Sequence, residues 1–127
     1  MSPRDDSLSP LQLDVMRAVW ALGEARVGEV RARLEGRELA ATTVATLLSR
    51  LEKRGLLTHR TEGRQFVYRA LKSELEISET MVSELTTALF DGEASQLVSH
   101  LLRRGEFDAE DLERIKRLIE EREGEAG

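Results

Sequence analysis

No cysteine occurs anywhere in the 127 residues. That excludes a disulfide framework, a zinc ribbon and any thiol-based metal or redox sensor, and it suits a reducing compartment. No apolar run approaches the ~20 residues needed to span a bilayer. Met1 to Ser9 carries Asp5 and Asp6 and no apolar centre, so a secretory leader is not expected there. The expectation is a cytoplasmic protein with no membrane partner. Histidine is scarce: His59 and His100 have no neighbours at a spacing that suggests a triad or a metal cage. Nucleophile elbows, phosphate-cradling glycine loops and dinucleotide fingerprints are missing too. The chain reads as a non-enzyme with no cofactor and no metal.

An overall basic excess is also missing. The net charge is −5, which on its face argues against a polyanionic ligand. The charge is unevenly placed, however. Residues 1–72 hold 13 Lys and Arg against 9 Asp and Glu, whereas residues 73–127 hold 6 against 15. Within residues 40–72 the count is 7 against 2. A basic first half joined to an acidic second half suggests a nucleic-acid face linked to a solvated or partner-facing element. Forty per cent hydrophobic residues are enough for a core, and the length allows one small domain with an appended assembly element.

Helix punctuation is clear. Ser9-Pro10 supplies a hydroxyl cap and a proline where its missing N–H costs nothing, and Leu13, Met16, Ala18, Val19, Trp20 and Leu22 follow up to Gly23. Val27, Val30 and Leu34 give a short second helix closed by Gly36, with Arg26-Val27 available for a brief strand before it. The third helix spans about Ala41 to Arg54, with Val44, Leu47, Leu48 and Leu51 on one stripe. Thr42, Ala45, Thr46, Ser49 and Lys53 lie opposite it, with Thr43 and Arg50 on the flank. Gly55 ends this helix. Residues 56–61 and 64–69 then alternate as two strands around a Glu62-Gly63 turn, with Phe66 and Tyr68 expected to pack inward as core aromatics.

From about Lys72 the pattern is purely helical. Leu75, Val82, Leu85 and Leu89 mark a long helix to Phe90-Asp91-Gly92, and Leu97, Val98, Leu101 and Leu102 a shorter one to Gly105. Asp108 and Asp111 form a capping box for a last helix carrying Leu112, Ile115, Leu118 and Ile119, with fraying expected from Glu120 to Gly127. Three such helices are too thin for a core of their own. Leu85, Leu89, Leu97, Leu101 and Ile115 are therefore expected to dimerise against a second copy.

A helix with a small, polar outer face followed by a basic hairpin is what a winged helix-turn-helix needs to grip duplex DNA. Small side chains let the helix seat deep in the major groove. Thr42, Thr43 and Thr46 suit base edges and thymine methyls, while Arg50 and Lys53 suit phosphates or a guanine. On the hairpin, His59, Arg60 and Arg64 suit the flanking backbone. The fold class expected is mainly α with a small β-hairpin wing: a winged helix-turn-helix domain at 1–71 and a helical dimerisation domain at 72–127. Two alternatives are a winged-helix protein-interaction module that binds no DNA, which the local excess of cations disfavours, and a small-ligand-sensing regulator.

The stretches L-S-P-L-Q-L-D-V-M-R-A-V-W (8–20), T-T-V-A-T-L-L-S-R-L-E-K-R-G-L-L (42–57) and G-R-Q-F-V-Y (63–68) resemble the penicillinase-repressor family, the BlaI, MecI and CopY type. The later L-F-D-G-E-A-S-Q-L-V-S-H-L-L (89–102) is similar to its dimerisation segment. The resemblance covers roughly residues 8–120 and implies a homodimeric repressor of palindromic operators, with a regulatory protease as a further candidate partner. It maps recognition-helix roles onto Thr42, Thr43, Thr46 and Arg50, and wing contacts onto His59, Arg60 and Arg64. Ala45 stands where the methicillin-type repressors carry a basic residue, so the resemblance does not carry their operator sequence over to this chain. His100-Leu101 replaces the Asn-Phe bond of the cleaved members, and the cysteine-rich tail of the copper-responsive branch is missing.

Overall fold

Ser9 opens the first helix, α1 (Pro10–Leu22), through a reciprocal capping box: the Gln12 N–H donates to Ser9 Oγ at 3.1 Å and the Ser9 N–H to Gln12 Oε1 at 3.0 Å. The computed structural model describes residues 7–34 and 36–126. The Asp5-Asp6 leader reading and Gly127 lie outside the described residues. The chain divides into two compact units, one up to Glu84 and one from Leu85.

The first unit continues with β1 (Glu24–Ala25), α2 (Val27–Arg33), α3 (Ala41–Lys53), β2 (Leu57–Glu62), β3 (Gln65–Ala70) and α4 (Glu74–Phe90) as far as Glu84. The three strands form one antiparallel sheet in the order β1-β3-β2. The brief strand expected at Arg26-Val27 comes at Glu24–Ala25 instead, because Arg26 takes the N-cap position of α2. Val15, Met16, Val19, Val30, Val44, Leu48 and Leu51 meet in one core, so the stripe expected on α3 is the face that packs. Leu47, at its edge, is half-buried.

The end of α3 is a Schellman motif. The Gly55 N–H donates to the Glu52 carbonyl at 2.9 Å and the Leu56 N–H to the Leu51 carbonyl at 3.1 Å. Gly55 takes φ 81°, a left-handed conformation that a side chain would strain. Leu51 and Leu56 are both fully buried there, which gives the motif its apolar contact.

The hairpin differs from expectation by one residue. Glu62 pairs with Gln65, so the loop is Gly63-Arg64 rather than Glu62-Gly63. Gly63 takes φ 64° at the first loop position, as a two-residue II′ turn requires. The two strands consequently begin and end one residue later than the alternation suggested. Tyr68 is buried as expected, but Phe66 is 46% exposed. Period-two alternation puts the two rings on one face, yet only the inner ring is covered by the helices.

Ile77 of α4 is 1% exposed within the first unit's core, and the Trp20 Nε1–H donates to the Lys72 carbonyl at 2.9 Å. These contacts carry the first unit past the 71/72 boundary expected from the sequence. A second capping box, Ser73 with Glu76, starts α4.

The second unit holds the end of α4, α5 (Ala94–Arg103) and α6 (Ala109–Ala126). Asp111 and Asp108 cap α6 reciprocally, as expected. The expected fraying from Glu120 does not occur among the described residues, since α6 stays helical to Ala126. Among the described residues no hydrophobic side chain of this unit is buried. Leu85, Leu89, Val98, Leu102, Leu112, Leu118 and Ile119 are exposed, and Leu97, Leu101 and Ile115 half-buried. Three short helices offer each apolar stripe too little to pack against.

Candidate nucleic-acid interface

α3 leaves Thr42, Thr43, Thr46, Arg50 and Lys53 exposed, while Ala45 and Ser49 are half-buried beside the wing. Thr46 Oγ1 donates to the Thr42 carbonyl at 3.0 Å while the residue stays exposed. The helix begins without a side-chain cap at Ala40 and has no acid in its first turn. Its positive dipole end is thus not neutralised by a neighbouring carboxylate of its own. Cations come only at the other end, at Arg50 and Lys53. The sequence anticipated this gradient along the helix.

The hairpin cations fall into two groups. Arg64 sits in the turn and is exposed; among the described residues neither it nor Arg50 or Lys53 has an ion-pair partner. Arg60 is engaged instead, with one guanidinium nitrogen on Glu24 and the other on Glu62 at 2.8 Å. Arg26 reaches Glu62 from the start of α2 at 2.7 Å. These guanidinium groups hold the Glu62 carboxyl below its usual range, Arg60 by hydrogen bonding first and Arg26 by charge next, and Glu24 with Glu62 raises Arg60. All of these side chains are well solvated, so the node positions the wing more than it stabilises the fold.

His59 is held as well. Its Nδ1 lies 2.7 and 2.9 Å from the two Glu52 oxygens, and its ring stacks on Phe66 with centroids 4.0 Å apart and planes at 23°. Sequence reasoning assigned His59 to the backbone and missed Glu52 entirely. The available signal was an acid in the last turn of a helix and a histidine two residues into the strand that follows.

Between α3 and the hairpin lies an open groove of about 780 Å³, whose lining includes Arg26, Arg50, Lys53 and Arg64 together with Glu52, His59 and Phe66. The structure thus brings Thr46, Arg50, Lys53, His59 and Arg64 together on one groove. Arg60 does not line it.

The model of the penicillinase repressor family matches residues 8–121. The chain belongs to that family. The penicillinase repressor of Bacillus licheniformis is 27% identical over 115 residues, covering 90% of each chain. The DNA-binding domain of the repressor BlaI, solved in solution, is 32% identical with a TM-score of 0.51, over 60% of this chain and 93% of that one. The CopR repressor is 47% identical over 53% of this chain and 99% of its own, with a TM-score of 0.45. This member of the penicillinase repressor family has the winged helix-turn-helix fold: mainly α, with the small three-stranded sheet that carries the wing. No helix among the described residues is long and apolar enough to cross a membrane.

Proposed function

We propose that this chain is a cytoplasmic, sequence-specific DNA-binding repressor that acts as a homodimer on palindromic operators and has no enzymatic activity. The observation that carries the reading is the groove beside α3, where three cations without carboxylate partners among the described residues flank a helix face of threonines. Thr42, Thr43 and Thr46 meet base edges in the major groove, and Arg50, Lys53 and Arg64 hold phosphates on either side. His59, committed to Glu52, and Arg60, committed to Glu24 and Glu62, set the wing at its angle. With Ala45 in place of a long bidentate reader, the shape of the duplex carries much of the preference.

The second unit supports the homodimer. Leu85 and Leu89 stand exposed at the end of α4, and Leu97, Leu101 and Ile115 are only half-covered. A second copy of the same surface would bury these apolar stripes and link two reading helices at the spacing of a palindrome. A regulatory protease remains a partner implied by resemblance; the His100-Leu101 bond lies inside α5.

Selection of bound sequences from random duplex DNA with the purified full chain tests the reading. The expected outcome is one inverted-repeat motif whose affinity falls steeply as salt rises. Recovery of no motif, with binding indifferent to salt, would exclude it.

A further inference from the structure

Resting on the DNA reading above, we propose that the groove between α3 and the hairpin receives one strand of deoxyribose-phosphate backbone, with Phe66 as its sugar contact. A DNA strand alternates anionic phosphates with apolar sugar faces, and the groove carries both complements. Arg50 and Lys53 come from the helix and Arg64 from the turn, and Phe66 lines the same groove. Phe66 is the one large hydrophobic side chain exposed among the described residues from 7 to 70. Leu71, Leu75 and Val82 of the same unit are exposed too, but none of them lines the groove, whose other large apolar groups, Val27 and Tyr68, are half-buried and buried.

The ring is also held still. It lies flat on His59 at 4.0 Å, edge-on to Tyr68 at 6.3 Å, and His59 is fixed by Glu52 from α3. A ring already fixed in place loses little further freedom when a sugar covers it, so more of the gain from apolar burial reaches the affinity. Phosphate contacts release counterions and depend on salt, whereas an apolar sugar contact does not. Phe66 therefore has a signature that the neighbouring cations cannot imitate.

The test is titration of the full chain against its selected duplex at several salt concentrations. Phe66→Ala is expected to weaken binding about tenfold at every salt, the scale of withdrawing about half an aromatic side chain from water. The slope of log affinity against log salt should match that of the wild type, and the ranking of duplex sequences should not change. Phe66→Leu, which keeps apolar bulk but loses the flat stack on His59, should recover most of the loss. Full-strength binding by Phe66→Ala would overturn the inference, as would a change in its salt slope. Equal losses for Leu and Ala would assign the ring to holding His59 and overturn it as well. Wild-type chain that binds no duplex would instead overturn the DNA reading, and this inference with it.

Discussion

Glu52, in the last turn of α3, offers both carboxylate oxygens to Nδ1 of His59 on β2, at 2.7 and 2.9 Å. The pair spans the junction between α3 and the wing, and it requires His59 to carry a proton on Nδ1. Both side chains are more than a quarter exposed, at 29% and 27%, so the bond matters for the angle of the hairpin more than for global stability. Glu52→Ala and His59→Ala should each cost about 1 kcal/mol, with a coupling of about 0.5 kcal/mol. A double-mutant cycle by urea unfolding reads this directly, and strictly additive losses would show that the bond does not form in solution.

The wing arginines should behave differently from one another. Arg64→Ala removes a cation with no carboxylate partner among the described residues, and it should flatten the salt dependence of DNA binding by about 0.9 in slope, one phosphate. Arg60→Ala removes a group already committed to Glu24 and Glu62, and should leave the slope nearly unchanged. Salt titrations of both variants decide whether Arg60 releases its glutamates to meet the backbone.

Thr46→Ala should change the ranking of operator sequences while leaving non-specific binding intact. Thr46 is exposed on the outer face of α3, where the proposed reading sets it against bases rather than phosphates. Repeating the selection with this variant and recovering the wild-type motif would remove Thr46 from the reading face.

Assembly should depend on the exposed leucines of the second unit. Leu89 is 65% exposed and Leu101 half-covered in one chain, and a charge at either would enter an apolar dimer seam. Leu89→Asp and Leu101→Asp should sediment as monomers at micromolar concentration. Loss of the linked second half-site should then lower operator affinity on the order of a hundredfold. A wild-type chain that sediments as a monomer under the same conditions would contradict this assignment.

Alkaline stability should report on Tyr68, the sole tyrosine. Burial first, and the nearby Glu52 charge second, push its phenol above the ordinary value. The folded state therefore holds the proton more tightly than the unfolded chain. Its contribution is complete below the ordinary phenol range near ~10 and is lost as pH rises through the raised value. Thermal midpoints followed up to about pH 11 should fall faster for the wild type than for Tyr68→Phe; parallel curves would mean that the ring ionises freely.

Much of this was legible locally. The α3 stripe, the Ser9 and Asp108 caps and the stop at Gly55 depend on residues within a turn or two of one another, where periodicity and capping chemistry act. The misjudged features depend on where separate elements end relative to one another. Alternation placed Phe66 on the right face of β3 but carried no information on how far the helices cover the hairpin. The Arg60 partnership with Glu24 joins residues 36 apart in the chain, and only the β1-β3-β2 order brings them together. The apolar stripes of the second unit gave its helices correctly, while the absence of burial within one chain follows from their number and length.

Between Lys53 at the end of α3 and Leu57 at the start of β2 lie only Arg54, Gly55 and Leu56, two of them engaged in the Schellman closure. That connection has no slack. One inserted residue would reverse the alternation of β2, turning His59 away from Glu52 and Arg60 toward it. On the proposed reading, divergence toward new operators is therefore open through point substitution on the threonine face of α3 and closed through changes in length at this junction. An evolving lineage can rewrite what the helix reads while inheriting the phase of the wing unaltered.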